Sequence, residues 1–207
     1  MVRPRDGDKR ARILDAAVQV FSQKGFYHSR VSDVADVAGV AGGTIYLYFK
    51  GKDDVLICLF EDRMEKILRD VRSMLKTESD ASARLEAFIG LHLALVDRDP
   101  ALADILTVEL RQSSKFVREY RPQKFFEYLD VAEEILNQGI RSGQFRSDIQ
   151  PKVWRRALFG ALDEVTLMWV ACLREGVDPP STLAEAAATI CNLMLSGLIR
   201  PELTHEE

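Results

Sequence analysis

The stretch VSDVADVAGVAGGTIYLYFKGKDDVL, from Val31 to Leu56, sets two short amphipathic segments about a Gly-containing turn and then enters a much longer one. Its apolar spacing leaves little choice of fold. Val31, Val34, Ala35 and Ala38 recur at helical intervals and define one buried face. Gly39 supplies the left-handed backbone that a sharp helix exit needs, and Val40 fills the angle behind it. Ile45 and Phe49, four apart, anchor the next helix to the same small core, and the small Ala35 lets two helices cross closely. That phase turns Gly43, Thr44, Tyr46, Leu47, Tyr48 and Lys50 away from it. This is the layout of a helix-turn-helix, whose second helix enters the major groove of duplex DNA. The competing reading is a three-helix knot with no nucleic-acid role.

Upstream, Ile13, Ala16, Ala17, Val20 and Phe21 form the stripe of a supporting helix that ends near Gly25. Before it lies a tail carrying Arg3, Arg5, Lys9, Arg10 and Arg12. Such a run reads either as a solvated end or as an arm that neutralises phosphates. The chain as a whole carries a formal charge of −4, which argues against a generally adhesive nucleic-acid binder. Residues 1–52 nevertheless hold nine Lys/Arg against five Asp/Glu, while the remainder holds 19 against 27. Positive charge therefore sits where phosphates would lie.

At 207 residues, with 47% apolar content and seven prolines, the chain is expected to be all-α, with about nine helices. The boundaries read as a DNA-binding domain over 8–54 and a larger ligand-binding and dimerisation domain over 55–200. A long helix is predicted from Lys52 to about Lys76, followed by a break with a cap in Ser79, Asp80 or Ser82. Further helices are predicted to about Asp99, over 101–113, over Lys115–Ser142 with a bend or restart at Pro122, to about Glu175, and from Thr182 to Leu198. The last two are apolar on more than one side and rich in Ala and Gly, which suits a four-helix bundle with a second copy. Two DNA half-sites about 34 Å apart also call for a two-fold dimer and a palindromic operator.

No 18-residue apolar run suggests a membrane span, and the basic start leads into an amphipathic helix rather than a signal peptide. Cys58, Cys172 and Cys191 are odd in number and sit in apolar helical contexts, so reduced thiols and a cytoplasmic location are expected. The three histidines, His28, His92 and His205, form no catalytic or metal-ligand spacing. Asp163 and Glu164 are adjacent and so face different sides of a helix. No catalytic or metal site is expected, and His92 reads as a satisfied core histidine.

The segments RILDAAVQVFSQKGF and VSDVADVAGVAGGTIYLYFKGKDDVL, with Gly25, Gly39, Gly43, Tyr46, Tyr48, Phe49 and Lys52 at their spacing, resemble the DNA-binding domain of the TetR family of transcriptional regulators. The resemblance implies that the third helix, about Gly42 to Tyr48, reads bases, and that Thr44, Tyr46, Tyr48 and Lys52 touch bases or phosphates. With the helical phase it nominates Arg30, Val31, Ser32, Gly42, Gly43, Thr44, Tyr46, Leu47, Tyr48, Lys50 and Lys52 as the DNA-facing set. Two departures stand out. Ala41 and Gly42 replace the usual Ser cap and frequent Lys, and Arg30 replaces the usual Thr or Ser cap, leaving Ser29, Ser32 or a phosphate-holding Arg30 as alternatives.

VELRQS at Val108–Ser113 and FGALDEVTLMWV at Phe159–Val170 further resemble the fatty-acid-degradation regulators of that family. This implies a repressor released from DNA by long-chain acyl-CoA, with no cofactor. Phe88, Leu91, Leu95, Leu106, Phe125, Leu129, Leu162 and Trp169 are suited to line an acyl tunnel. Arg111, Lys115, Arg118, Arg121 and Lys124 are suited to CoA phosphates, with Tyr120 available to stack on adenine. The alternative for these residues is ordinary core and solvated face. The alternative for the regulator is a sensor of hydrophobic compounds controlling an efflux operon.

Overall fold

The computed structural model describes residues 6–78 and 80–199; Arg3, Arg5, Ser79 and His205 lie outside them. The regular elements among the described residues are all helical, ten α-helices and one short 3-10 helix. The α-helices are α1 (Asp6–Lys24), α2 (Val31–Ala38), α3 (Gly42–Ile45), α4 (Lys52–Leu75), α5 (Ala81–Arg98), α6 (Pro100–Thr107), α7 (Ser114–Arg118), α8 (Gln123–Arg141), α9 (Pro151–Glu175) and α10 (Leu183–Leu198). The 3-10 helix, Glu109–Gln112, follows α6.

The all-α expectation holds, and the count exceeds nine for two local reasons. The predicted 101–113 helix starts at Pro100, a residue suited to a first helical position, with Asp99 capping it by accepting the Leu102 N–H at 3.0 Å. It then tightens into the 3-10 helix. The predicted 115–142 helix is two helices. Pro122 has no N–H and disfavours helical backbone at Arg121, so α7 stops at Arg118 and α8 starts afresh at Gln123.

The chain forms two compact units. The first comprises the described residues of 1–66 with 98–123, and the second those of 67–97 with 124–207. The 8–54 segment thus packs with α6, the 3-10 helix and α7. In this first unit Ile13, Ala17, Val20, Phe21, Val34, Ala35, Ala38, Ile45 and Phe49 are buried, which is the face their spacing predicted. Gly39 takes φ 64°, and its N–H and that of Val40 close on Asp36 and Ala35 carbonyls to end α2.

The second unit is built from the remainder of α4 and from α5, α8, α9 and α10. Leu85, Phe88, Ile89, Leu129, Ile135, Leu136, Leu158, Leu162 and Ile190 are among its buried residues. Gly139 has no alternative here, because a Cβ would stand 2.0 Å from the Phe145 ring. At the start of α10, Thr182 and Glu185 cap one another reciprocally. No described helix is long and apolar enough to cross a membrane.

Candidate nucleic-acid interface and effector residues

The helix-turn-helix leaves most of its candidate residues exposed. Arg30 and Ser32 at the start of α2 are exposed, as are Gly42, Gly43 and Lys50, while Val31, Thr44 and Tyr48 are half-buried. Tyr46 is 61% exposed and Leu47 80%, beside fully covered Ile45 and Phe49. Large apolar groups left in water beside a well-built core point to a partner. A Cβ on Gly42 or Gly43 would meet nothing within 4 Å, so the protein's own packing does not demand glycine there.

The reading helix is shorter than expected. α3 ends at Ile45, and residues 46–48 continue as a tightened turn, with Leu47 N–H on the Thr44 carbonyl at 3.2 Å and Tyr48 N–H on the Ile45 carbonyl at 3.0 Å. The capping alternatives resolve as well. Asp33 accepts the Arg30 backbone N–H at 2.8 Å, so its carboxylate begins α2 from inside the helix. Lys24, 2.9 Å away, together with that N–H holds the Asp33 carboxyl below its ordinary range. Ser29 is not the cap. It is buried and donates to the Gly25 carbonyl at 2.6 Å. Arg12 caps the far end of α2 through the Ala38 carbonyl at 2.5 Å.

Lys52 is engaged within the protein. Its ammonium donates to the carbonyls of Phe26 (2.7 Å), Tyr27 (3.0 Å) and Ser29 (2.9 Å), and lies 4.5 Å from the centre of the Phe26 ring. A lysine has three donors, and all three are occupied. Lys52 therefore fastens the α1–α2 turn to α4. Desolvation by its surroundings lowers its pKa, opposed in part by Asp53.

The candidate effector residues are divided between the two units. Phe88, Leu91, Leu95, Lys124, Phe125, Leu129, Leu162 and Trp169 belong to the second, and Leu106, Arg111, Lys115, Arg118, Tyr120 and Arg121 to the first. Within the second unit an aromatic cluster joins α5, α8 and α9. Phe88 packs on Tyr128 at 4.9 Å, Phe125 meets Phe159 edge-on at 4.7 Å, and His92 lies 6.2 Å from Phe159. His92 is satisfied, its Nδ1 lying 2.7 Å from the Tyr128 hydroxyl. Burial pushes the imidazole down to about 4 and raises the Tyr128 phenol far above its usual range.

Of the basic set, Arg111, Arg118 and Arg121 are exposed and Lys115 is half-buried, while Lys124 pairs with Glu127 at 3.2 Å. Tyr120 is half-buried; its ring is engaged with Phe116 (5.2 Å) and Phe60 (6.2 Å), and its buried hydroxyl has no hydrogen-bond partner among the described residues.

Two polar groups escaped the sequence reading. The Thr166 hydroxyl and the Trp169 indole N–H, three residues apart on α9, are buried without a partner among the described residues. A threonine in an apolar helix carries no signal that its hydroxyl will be left unmatched. Such groups cost about 1–3 kcal/mol each unless something pairs with them.

A family model described as bacterial regulatory proteins, tetR family, matches residues 13–58, and one described as the YsiA-like protein C-terminal region matches residues 60–197. The fatty acid metabolism regulator protein of Bacillus subtilis is 35% identical over 190 residues, covering 92% of this chain and 95% of the relative. The crystal structure of B. subtilis FadR in complex with stearoyl-CoA matches with a TM-score of 0.82 at 34% identity, over 90% of this chain and 98% of that one. FadR of Bacillus halodurans matches with a TM-score of 0.84 at 34% identity, over 95% of this chain and all of that one.

Proposed function

The chain belongs to the TetR family of bacterial transcriptional regulators, and from that premise we propose that it represses fatty-acid-degradation genes and leaves its operator when long-chain acyl-CoA binds. One observation carries the reading. A chain that is similar over nine-tenths of its length to a regulator solved with stearoyl-CoA carries an exposed Tyr46–Leu47 surface on its helix-turn-helix. Residues 8–54 bind a palindromic duplex, Arg30, Ser32 and Lys50 meeting phosphates and Thr44, Tyr46, Leu47 and Tyr48 meeting base edges and methyls. Residues 55–200 bind the effector and pair with a second copy. A genomic duplex as partner places the protein in the cytoplasm.

For the acyl chain, Phe88, Leu129 and Leu162 supply buried apolar wall, and Leu91, Leu95, Phe125 and Trp169 supply half-buried wall. The unmatched Thr166 hydroxyl and Trp169 N–H suit the carbonyl and amide groups of the thioester arm. α4 begins at the helix-turn-helix and continues into the second unit, so a ligand that shifts it alters how two recognition helices are spaced. Reversing a 99:1 preference takes about 5.5 kcal/mol of differential affinity. At roughly 0.8 kcal/mol per methylene, seven differentially buried methylenes suffice.

The test is a titration of operator-bound protein with stearoyl-CoA, stearate and CoA, followed by fluorescence anisotropy. Release by stearoyl-CoA at concentrations where stearate and CoA do nothing is the expected result. Operator affinity indifferent to all three removes the acyl-CoA reading.

A further inference from the structure

The short 3-10 helix Glu109–Gln112 is fastened at both ends to the helix-turn-helix unit. At its start, the Glu109 carboxylate is 1% exposed and accepts the Phe26 backbone N–H at 2.5 Å, across 83 residues of sequence. The Phe26 carbonyl in turn accepts from Lys52 Nζ at 2.7 Å, so this one residue is gripped through both its amide groups. Just beyond the 3-10 helix, the Ser113 hydroxyl donates to Asp53 Oδ1 at 2.5 Å while accepting the Phe116 N–H at 3.1 Å. Asp53 is the residue after Lys52. The 3-10 helix therefore brackets the turn before α2 and the first turn of α4, the two places where the α2–α3 pair joins the rest of the unit.

A buried carboxylate is a costly way to fill space, because an apolar side chain of the same volume needs no desolvation. What the carboxyl group adds is direction, since it takes the Phe26 N–H at a fixed point. Gly25, at φ 76°, brings the backbone to within reach; a Cβ there would lie 3.6 Å from Glu109 Oε2. Neither end of the bracket depends on the apolar spacing that builds α2 and α3. It governs where that pair is held, not whether it folds.

We infer that Glu109, seconded by Ser113, is a positioning residue for operator reading, holding the α1–α2 turn, and through it α2 and α3, in register with α4. The inference rests on the DNA-binding reading above. Base-edge contacts need side chains held to within about 0.5 Å, whereas attraction to unrelated duplex needs only charge near phosphates. Loosening the bracket should therefore lower the preference for the operator more than the attraction to DNA in general.

The experiment uses the full chain without effector, a duplex enriched from the protein's own genome by binding, and a scrambled duplex of equal length at one salt concentration. Affinities for both are measured for the native chain, Glu109→Ala, Glu109→Gln and Ser113→Ala, with melting curves to establish folding. Glu109→Ala is expected to cut the operator-to-scrambled ratio by 10-fold or more, Glu109→Gln to recover most of it, and Ser113→Ala to cut it several-fold. An unchanged ratio in folded Glu109→Ala overturns the inference, and so does an equal loss on both duplexes. Where Glu109→Ala does not fold, Ser113→Ala decides, a ratio equal to the native one counting against the proposal. A native chain with no preference between the duplexes sinks the DNA-binding reading itself, and the positioning role with it.

Discussion

Among the regions that leave large apolar side chains in water, two differ instructively in what surrounds those side chains. In the helix-turn-helix, Tyr46 and Leu47 stand among glycines, a threonine and the cations Arg30 and Lys50. In the last two helices, Val153 on α9 is 67% exposed and Leu193 on α10 69%, on helices whose exposed residues include Ala157, Gly160, Ala184, Ala188 and Gly197. A Cβ on Gly160 or Gly197 would meet nothing within 4 Å among the described residues. Apolar groups edged by positive charge suit a polyanion, whereas apolar groups edged by small uncharged ones suit the close approach of another helix. The same exposure thus points to DNA in one region and to a second copy in the other.

The largest effect should come from breaking the second surface. Leu193→Glu places a charge on each side of the proposed α9–α10 interface, and sedimentation should show monomer where the native chain is a dimer. Operator affinity should then fall by on the order of 10³-fold, because one half-site is lost. A monomeric variant with native affinity would break the comparison. Next comes Tyr46→Ala, expected to cost about 1–3 kcal/mol of operator binding, roughly 5- to 150-fold, with the dimer and the melting temperature untouched. A Tyr46→Ala protein that falls apart into monomers would mean the two surfaces had been misassigned.

The contrast between the cations sharpens the first surface. Arg30→Gln should flatten the salt dependence of DNA binding by about 0.9 in log–log slope. Lys52→Gln should leave that slope alone and instead lower folding stability by about 1–3 kcal/mol in urea, because carbonyls of Phe26, Tyr27 and Ser29 lose their donor. A flattened slope for Lys52→Gln would return it to the phosphate contacts.

The smallest effect concerns His92, which lies on neither surface. Its folded pKa is lowered to about 4 by burial, so below its ordinary value near 6.5 the unfolded chain takes up a proton that the folded one refuses. Stability should therefore fall as pH drops from about 6.5 towards 4, and His92→Gln should remove that share of the decline. Neither dimerisation nor operator binding at pH 7 should change.

Much of the helix-turn-helix was legible from spacing alone. Ile13, Ala17, Val20 and Phe21 on α1, Val34, Ala35 and Ala38 on α2, and Ile45 with Phe49 after it all went where a helical period sends them. So did the exposure of Tyr46 and Leu47. The polar side chains were another matter. Ser29, Lys52 and Tyr120 each belong to a type that serves a surface as readily as an interior, and nothing adjacent in sequence says which.

The sequence by itself therefore determined that the chain is helical, where the groove-reading pair lies, and which faces are buried, because apolar periodicity is a local property that each helix carries alone. Only the tertiary structure decided that Lys52 closes a turn, that Tyr120 joins Phe60 and Phe116, and that residues 98–123 pack with the N-terminal helices. It alone brought the Glu109 carboxylate to the Phe26 amide. A donor's or acceptor's partner is chosen by which helices cross beside it, and that choice is made at distances along the chain where no repeat leaves a trace.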